Sequence, residues 1–349
     1  MIKRRASKAI RIGRVEIGGA GPIVVQSMTK TDTRDVTATV KQIRQLEECG
    51  CEIVRVAVPD MAAARAIVDI KNKVSLPIIA DIHFDYRLAL AALKSGVDGL
   101  RLNPGNINDP DHIAKVVRAA KERVVPIRIG VNAGSLPKAS EGKSSVVKRM
   151  VDAALDEVRL LESLDFDLIK VSLKAFDVPT TIEAYQAIAK KIPYPLHLGI
   201  TESGLPWAGA IRSAVGLGIL LYDGIGDTIR VSLTTRDACQ EVEAAYEILK
   251  SLKLREHGPT LVSCPSCGRS ETDIVGLAEQ VEERLKGVKK TVKVAVMGCV
   301  VNGPGEAKDT DVGIACGKGK GVIFRKGEKV RTVEESNFLE TLMAEMEKL

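Results

Sequence analysis

Eight short β-like runs alternate with helical stretches between residues 20 and 250, and this alternation constrains the fold more than any other feature of the chain. Successive runs start roughly 20 to 40 residues apart, a spacing typical of repeated βα units. No G-x-G-x-x-G motif follows the first run, which counts against a dinucleotide-binding domain. The sequence therefore predicts a (β/α)₈ TIM barrel rather than an open doubly wound sheet. The predicted strands cover residues 23–28, 52–58, 77–83, 99–103, 126–132, 167–174, 195–201 and 227–233.

Side-chain parity along these runs separates a polar face from an apolar one. Because alternate side chains of a barrel strand point inward, one parity belongs to the barrel interior and the other packs against the helices. The expected outward positions are Val54, Val56, Ile79, Ile82, Leu100, Leu102, Ile127, Ile129, Val131, Ile169, Val171, Leu173, Leu196, Leu198, Val231 and Leu233. The expected inward polar positions include Gln26, Arg55, Asp81, His83, Arg101, Arg128, Asn132, Lys170, Lys174, His197, Arg230 and Ser232, with Glu202 just beyond the seventh run.

Cations outnumber acids where these strands end, which is where the active sites of this fold lie. The set consists of Arg55, Arg101, Arg128, Lys174 and Arg230 against Asp81 and Glu202. Burying several unpaired cations is costly, so the pattern predicts an anionic ligand. A diphosphate fits well, because arginine binds phosphate oxygens in a bidentate manner. For any single residue, a role in a structural ion-pair network remains open.

Composition argues against several classes of function. The 349 residues include 51 Lys and Arg against 45 Asp and Glu, a net charge of +6 that does not require a nucleic-acid partner. Aromatic residues make up 3%, which disfavours binding of single strands by base stacking. Every apolar run is far shorter than the ~20 residues of a membrane span, so no membrane partner is expected. No apolar segment follows the basic N-terminal residues, so we expect no secretory signal and a cytoplasmic location.

The seven cysteines fall into two groups. Cys49, Cys51 and Cys239 lie in helical or strand patterns and are expected to be ordinary core thiols. The others lie near the C-terminus. In a reducing compartment, clustered cysteines more often bind a metal than form structural disulfides.

A linker at residues 257–259 divides the chain into a barrel domain, residues 1–256, and a small α+β domain, residues 257–349. The small domain is expected to contain two cysteine loops and a final helix that begins with a capping box at Thr332-x-x-Glu335.

The two loops carry three thiols suited to a metal. Cys264 and Cys267 form a C-x-x-C motif, and Cys299 lies in a second loop rich in glycine and proline. Zinc, an iron–sulfur cluster with one open iron and a redox-active dithiol all remain open from the spacing alone. Cys316 is a candidate fourth ligand.

The two cysteine loops have distinctive amino-acid sequences. The first is Ser263-Cys264-Pro265-Ser266-Cys267-Gly268-Arg269, and the second is Met297-Gly298-Cys299-Val300-Val301-Asn302-Gly303-Pro304-Gly305-Glu306-Ala307. Both resemble the 4-hydroxy-3-methylbut-2-enyl diphosphate synthase family in its short bacterial two-domain form. Barrel segments 26–29, 80–83, 101–106 and 199–202 resemble the same family, so the resemblance covers essentially the whole chain.

This resemblance implies one 4Fe–4S cluster per subunit, held by Cys264, Cys267, Cys299 and Glu306. It implies reductive ring opening of 2-C-methyl-D-erythritol 2,4-cyclodiphosphate to 4-hydroxy-3-methylbut-2-enyl diphosphate in the non-mevalonate isoprenoid pathway. The implied electron donor is reduced flavodoxin or ferredoxin. The implied assembly is a homodimer, in which the cluster domain of one subunit closes over the barrel of the other.

Residue roles follow from combining the barrel pattern with the resemblance. Glu202 is expected to act as acid/base group or to orient the substrate hydroxyl, and Glu306 to be a cluster ligand that exchanges with substrate. The expected substrate-binding residues are Arg55, Asp81, His83, Arg101, Arg128, Asn132, Lys174, Arg230 and Ser232. Two alternatives stay open: a barrel enzyme for another phosphorylated substrate with a structural metal domain, and a non-catalytic iron–sulfur carrier or nucleic-acid binder.

Overall fold

A computed structural model describes residues 2–83, 85–102, 109–136, 145–299, 305 and 307–349. The chain divides into two compact units, Met1–Arg255 and Glu256–Leu349, and each unit has its own main sheet. Within the described ranges, no helix has both the length and the apolar composition that crossing a membrane requires.

The first unit is a barrel of eight parallel strands. A bridge between Val171 and Leu196 joins the two ends of the sheet, so the prediction of a (β/α)₈ barrel is confirmed. A short antiparallel hairpin, β1 (Ile10–Ile12) and β2 (Val15–Ile17), precedes the barrel. The barrel strands are β3 (Val24–Met28), β4 (Ile53–Ala57), β5 (Ile78–Asp81), β6 (Gly99–Leu102), β7 (Ile127–Asn132), β8 (Ile169–Lys174), β9 (His197–Leu198) and β10 (Thr228–Ile229).

A helix follows each barrel strand. They are α1 (Val36–Glu48), α2 (Met61–Lys71), α3 (Tyr86–Lys94), α4 (Pro110–Glu122), α5 (Val146–Ser163), α6 (Val178–Ala189), α7 (Pro206–Tyr222) and α8 (Cys239–Ser251). The first six begin after an Asp or Ser whose side chain accepts a backbone N–H of the first turn. Such caps satisfy donors that the helix itself leaves free, and they set where each helix starts.

The outward face of the strands is the apolar layer that parity predicts, with one correction. Ile79 has the same parity as Asp81 and points into the barrel, where it packs with Ile10, Ile12 and Ile17 of the hairpin. The hairpin thus supplies apolar side chains that close the barrel floor. The other predicted outward residues belong to the main core between strands and helices.

Strands β9 and β10 are shorter than predicted. The runs 195–201 and 227–233 each contain only two residues with regular strand pairing. Beyond β9 the backbone turns sharply, because Glu202 and Gly204 both have positive φ, +54° and +102°. The polar segments 199–204 and 230–234 therefore form loops at the carboxyl end of the barrel. Residue 103, predicted to end the fourth strand, lies outside the described residues.

Among its described residues, the second unit is a five-stranded mixed sheet with two helices, α9 (Ile274–Leu285) and α10 (Phe338–Glu347). Strands β11 (Thr260–Ser263), β12 (Lys293–Met297) and β13 (Val312–Cys316) are parallel. Strands β14 (Lys320–Arg325) and β15 (Glu328–Glu334) continue the sheet antiparallel. The predicted capping box is wrong, because Thr332 lies within β15 and α10 begins only after Asn337.

Candidate active site

Strand register gathers the predicted cations at the carboxyl end of the barrel. Asp81, Arg101 and Arg128 are paired in register across β5, β6 and β7, so their side chains emerge side by side. Asn132 and Lys174 are paired at the ends of β7 and β8. The backbone of adjacent parallel strands thus places Asp81, Arg101 and Arg128 in one row, and Asn132 and Lys174 in a second row four residues further along β7 and β8.

Asp81 is the acidic member of the row that it forms with Arg101 and Arg128. It is 3% exposed, and its carboxylate lies 3.4 Å from Arg55 Nε, 3.1 Å from Arg101 Nη1 and 3.4 Å from His83 Nε2. Burial alone would raise the pKa of this carboxyl. The charges of Arg55 and Arg101 and the bond from His83 outweigh burial and hold the pKa well below its usual range. Asp81 is therefore ionised and balances part of the cationic charge.

Other buried cationic side chains have fewer acidic or hydrogen-bonding partners. Among the described residues, Arg128 Nε and Nη1 and Lys170 Nζ are buried without a hydrogen-bond partner, as is Nε2 of His197. Burial, followed by repulsion from neighbouring cations, lowers the pKa of Arg128, Lys170 and Lys174 well below the usual values. Because unsatisfied buried polar groups are rare in folded proteins, these unpartnered atoms indicate that an anion or water completes the site.

A second buried acid, which the sequence analysis missed, lies beside the segments that follow β3 and β10. Glu241 in the first turn of α8 is 2% exposed and accepts the Leu233 backbone N–H at 2.9 Å. Its carboxylate lies 3.2 Å from Lys30 Nζ and 3.9 Å from Arg230 Nη2. Burial lowers the pKa of Arg230 to about 10, and Glu241 opposes that shift. The signal in the sequence was an acid at apolar spacing from Ala245 and Leu249, both of which are buried.

Two glycines make room for the cations. A Cβ on Gly130 would lie 2.8 Å from Arg101 Nε. A Cβ on Gly199 would lie 2.6 Å from Lys174 Nζ and 2.8 Å from the Arg230 carbonyl oxygen. The chain can therefore place charged side chains against the wall of the barrel only because these wall positions have no side chain.

The remaining predicted barrel residues lie at the rim. His83 and Glu202 are exposed, and Asn132 and Ser232 are half-buried. Glu202 adopts a left-handed backbone conformation, φ +54°, which is uncommon for a residue other than glycine and recurs at functional sites. The Ser203 hydroxyl donates to the Ser232 carbonyl oxygen and ties the loops after β9 and β10 together.

The two cysteine loops follow neighbouring strands of the second unit. Cys264 comes directly after β11 and Cys299 shortly after β12, and these parallel strands pair in register up to Ser263 and Val296. The Gly298 backbone N–H donates to Cys264 Sγ at 3.1 Å, and a Cβ on Gly298 would lie 3.3 Å from that sulfur. The two loops therefore converge at the same edge of the sheet.

The structure does not gather the complete predicted ligand set. Cys267 is exposed and Cys299 is half-buried. In the part of the chain that is described, no three His, Cys, Asp or Glu side chains stand close enough to hold a metal ion. Glu306 lies outside the described residues. Cys316 is buried in the apolar core of this unit, and burial raises the pKa of its thiol to about 12.

One prediction about the barrel cysteines is wrong. Cys49 and Cys239, expected to be separate core thiols, are joined as a disulfide with their Cα atoms 5.8 Å apart. The residues are 190 positions apart in the chain, so no local pattern could pair them. Cys51 is a buried free thiol, as expected.

A barrel with a cation-lined carboxyl end, followed by a sheet unit with two cysteine loops, defines a barrel enzyme with an appended cysteine-loop domain. Residues 7–246 match the GcpE TIM-barrel domain, and residues 260–348 match the GcpE protein C-terminal domain. The chain belongs to the GcpE family, so the family resemblance is confirmed.

Relatives of high identity support this family assignment, and a solved structure of low identity shares the barrel. A Dehalococcoides mccartyi protein named 4-hydroxy-3-methylbut-2-en-1-yl diphosphate synthase (flavodoxin) is 64% identical over 100% of both chains. A Geobacter sulfurreducens protein of the same name is 58% identical over 98% of both. A dihydropteroate synthase from Xanthomonas albilineans matches 71% of this chain and 98% of its own, with 13% identity and a TM-score of 0.51. That likeness shows the barrel fold alone.

Proposed function

We propose that this chain catalyses the reductive ring opening of 2-C-methyl-D-erythritol 2,4-cyclodiphosphate to 4-hydroxy-3-methylbut-2-enyl diphosphate, a step of non-mevalonate isoprenoid synthesis. The reaction breaks a ring C–O bond, takes up two electrons and two protons, and releases one hydroxyl as water. Relatives that match the whole chain at 58–64% identity carry the name of this enzyme. The structural observation that carries the proposal is the set of buried cations with unpaired donors at the carboxyl end of the barrel.

The barrel binds the cyclic diphosphate through these cations. The free Nε and Nη1 donors of Arg128 match phosphate oxygens, and Arg55 and Arg101 are held beside them by Asp81. The site extends to the rim of the barrel through Lys174, Arg230, Asn132 and Ser232. A diphosphate supplies the negative charge that Asp81 and Glu241 do not provide, which explains why the protein tolerates the buried charge.

Glu202 supplies the acid/base group of this proposal. Its exposed carboxylate stands at the barrel rim on a segment whose left-handed backbone is held by the bond between Ser203 and Ser232. A carboxylate there can orient the substrate hydroxyl and pass a proton to the leaving oxygen. His83, which contacts Asp81 at 3.4 Å, orients the acid that holds the two arginines.

The second unit is proposed to hold one 4Fe–4S cluster per subunit through Cys264, Cys267, Cys299 and Glu306. The donor set fits the group, since three thiols lie on two loops that converge where Gly298 leaves space beside Cys264 Sγ. When bound, the cluster supplies electrons to the substrate. Reduced flavodoxin or ferredoxin is the proposed donor, and a cytoplasmic location suits thiols that must remain reduced.

We further propose a homodimer that pairs through the outer face of α7. Large apolar side chains repeat there every three or four residues and remain exposed, and Trp207 is 82% exposed. The exposed set is Trp207, Ile211, Val215, Ile219 and Tyr222. The neighbouring groove between α7 and α8 has a volume of about 440 Å³ and is lined mainly by apolar residues. An apolar helix face can pack against the same face of a second copy across a two-fold axis.

An active site shared between the two subunits accompanies this dimer. The linker from Ser251 to Thr260 has about eight residues and spans at most about 28 Å. It starts at the end of α8, and barrel helices end on the side away from the active-site face. A linker of this length favours a cysteine domain that serves the barrel of the partner subunit.

Anaerobic turnover tests the function. The purified protein, incubated with the cyclodiphosphate and a reductant, should release 4-hydroxy-3-methylbut-2-enyl diphosphate, detected by mass spectrometry. Cys299→Ser should abolish turnover and visible cluster absorption, whereas Cys316→Ser should retain both. Iron-containing wild-type protein that leaves the cyclodiphosphate intact would overturn the proposal.

A further inference from the structure

Two cysteines outside the cluster loops lie against each other in the layer of helices around the barrel. Cys49 is the C-cap of α1, and Cys239 is the first residue of α8. Their sulfurs are bonded and their Cα atoms are 5.8 Å apart, a separation typical of protein disulfides. Both residues are half-buried, so small molecules can reach them.

We propose that Cys49 and Cys239 are a reversible thiol modification site whose co-substrate is a low-molecular-weight disulfide. The proposed reaction at the barrel mouth makes no use of this pair, so the inference stands apart from it. The neighbouring Cys51 differs in kind, because it is 4% exposed and burial raises the pKa of its thiol to about 12. Among the three cysteines of the barrel, reactivity is therefore confined to the half-buried pair.

The exchange proceeds in two balanced steps. The thiolate of Cys239, at the positive end of α8, attacks the small disulfide to form a mixed disulfide and releases one small thiol. Cys49 then attacks Cys239 Sγ, which closes the internal disulfide and releases the second small thiol. Two protein thiols lose two electrons and two protons, and the small disulfide takes up both.

Formation of the Cys49–Cys239 disulfide fixes the first turn of α8, which carries the partner of Arg230. Glu241 lies in the same turn of α8 as Cys239, and it accepts the Leu233 N–H and pairs with Arg230. The bond ties this turn to the end of α1 and closes a loop of 190 residues. Because a cross-link over a long loop restricts the unfolded chain, the oxidised protein should resist heat better than the reduced one.

The test uses the cluster-loaded protein under nitrogen with oxidised glutathione, followed by alkylation, digestion and mass spectrometry. Wild type should yield a linked peptide containing Cys49 and Cys239, and excess reduced glutathione should reverse it. The melting temperature should rise by several degrees on oxidation, and unchanged visible absorption should show that the cluster was spared.

Three variants distinguish the attacking cysteine, the resolving cysteine and the uninvolved cysteine. Cys49→Ser should retain glutathione on Cys239, because the resolving thiol is absent. Cys239→Ser should lose both the linked peptide and the shift in melting temperature, and Cys51→Ala should keep the linked peptide. Glutathione that persists on Cys239 of wild type, or full alkylation of both cysteines after oxidant treatment, would overturn the proposal.

Discussion

At the scale of single residues, Asp81 holds two arginines in a buried cluster, and its removal should be costly. Asp81→Asn leaves Arg55 and Arg101 without their acid, and breaking such a buried ion pair costs about 3–5 kcal/mol. Denaturant titration should show that loss in the free energy of unfolding. Glu202→Gln, at an exposed position, should leave stability unchanged. Equal stability of Asp81→Asn and wild type would contradict the ion-pair role.

The pH dependence of this effect has a defined sign. The folded pKa of Asp81 is held below the value of about 3.9 that an aspartate has in an unfolded chain. Its stabilisation is therefore complete above the unfolded pKa and is lost only as pH falls toward the folded pKa. The stability difference between wild type and Asp81→Asn should accordingly stay constant from about pH 6 to pH 8. A difference that vanishes within this range would point to another group.

Arg128 should behave differently from the paired arginines. Its Nε and Nη1 have no partner among the described residues, so Arg128→Met removes buried charge without orphaning an acid. We expect unchanged or higher stability together with substrate binding weakened by about 1.5–3 kcal/mol, the contribution of a charge-assisted hydrogen bond. Calorimetric titration and thermal melts measure the two effects. The matched control is Arg87→Met, at an exposed arginine paired with Asp85, which should change neither.

The sequence predicted the inward cations because side-chain parity in a strand is a local property. It did not predict Glu241, because an acid in the first turn of a helix is normally a solvated residue that favours the helix dipole. Nor could it pair Cys49 with Cys239, since that contact depends on how α1 and α8 pack. Residues whose role depends on a distant element carry little local signal.

At the scale of elements, the wall glycines should decide whether the strands can carry their charges. Gly199→Ala would bring a methyl group to 2.6 Å from Lys174 Nζ, displacing that amine or the loop after β9. We expect substrate affinity to fall at least tenfold while the protein still folds, as measured by KM and by thermal melting. Gly218→Ala is the matched control, because a Cβ there meets nothing within 4 Å and alanine favours a helix. Identical KM values for the two variants would count against the wall argument.

Errors in the predicted elements have a common physical cause. The run 195–201 has the composition of a strand, yet the chain turns just beyond it, where Glu202 and Gly204 have positive φ. The expected capping box fails because Thr332 pairs with Val322 in the sheet. In both places tertiary pairing and loop geometry override local propensity. The six side-chain caps of α1 to α6, by contrast, are local interactions of the kind that a sequence specifies well.

At the scale of the whole molecule, the apolar face of α7 should control subunit pairing. Replacing Trp207 and Ile211 by glutamate places two charges on a face that we propose to be buried between copies, so the protein should become monomeric. Sedimentation or light scattering measures this directly. As a control, glutamate at Val68 and Val330, two exposed valines outside α7, should leave the assembly unchanged. A dimer that survives both α7 changes would place the interface elsewhere.

Subunit mixing tests whether the proposed dimer shares its active sites. Glu202→Gln should disable the barrel and Cys299→Ser should remove the cluster, so each homodimer is inactive. Random pairing on co-expression makes about half of the dimers mixed. If each barrel uses the partner's cluster, every mixed dimer contains one intact site, and about a quarter of wild-type activity should return. If each barrel uses the cluster of its own chain, every subunit keeps one defect and mixing restores nothing. The α7 double glutamate variant adds an independent check, because a monomer that loses turnover but keeps its iron needs its partner for chemistry rather than for folding.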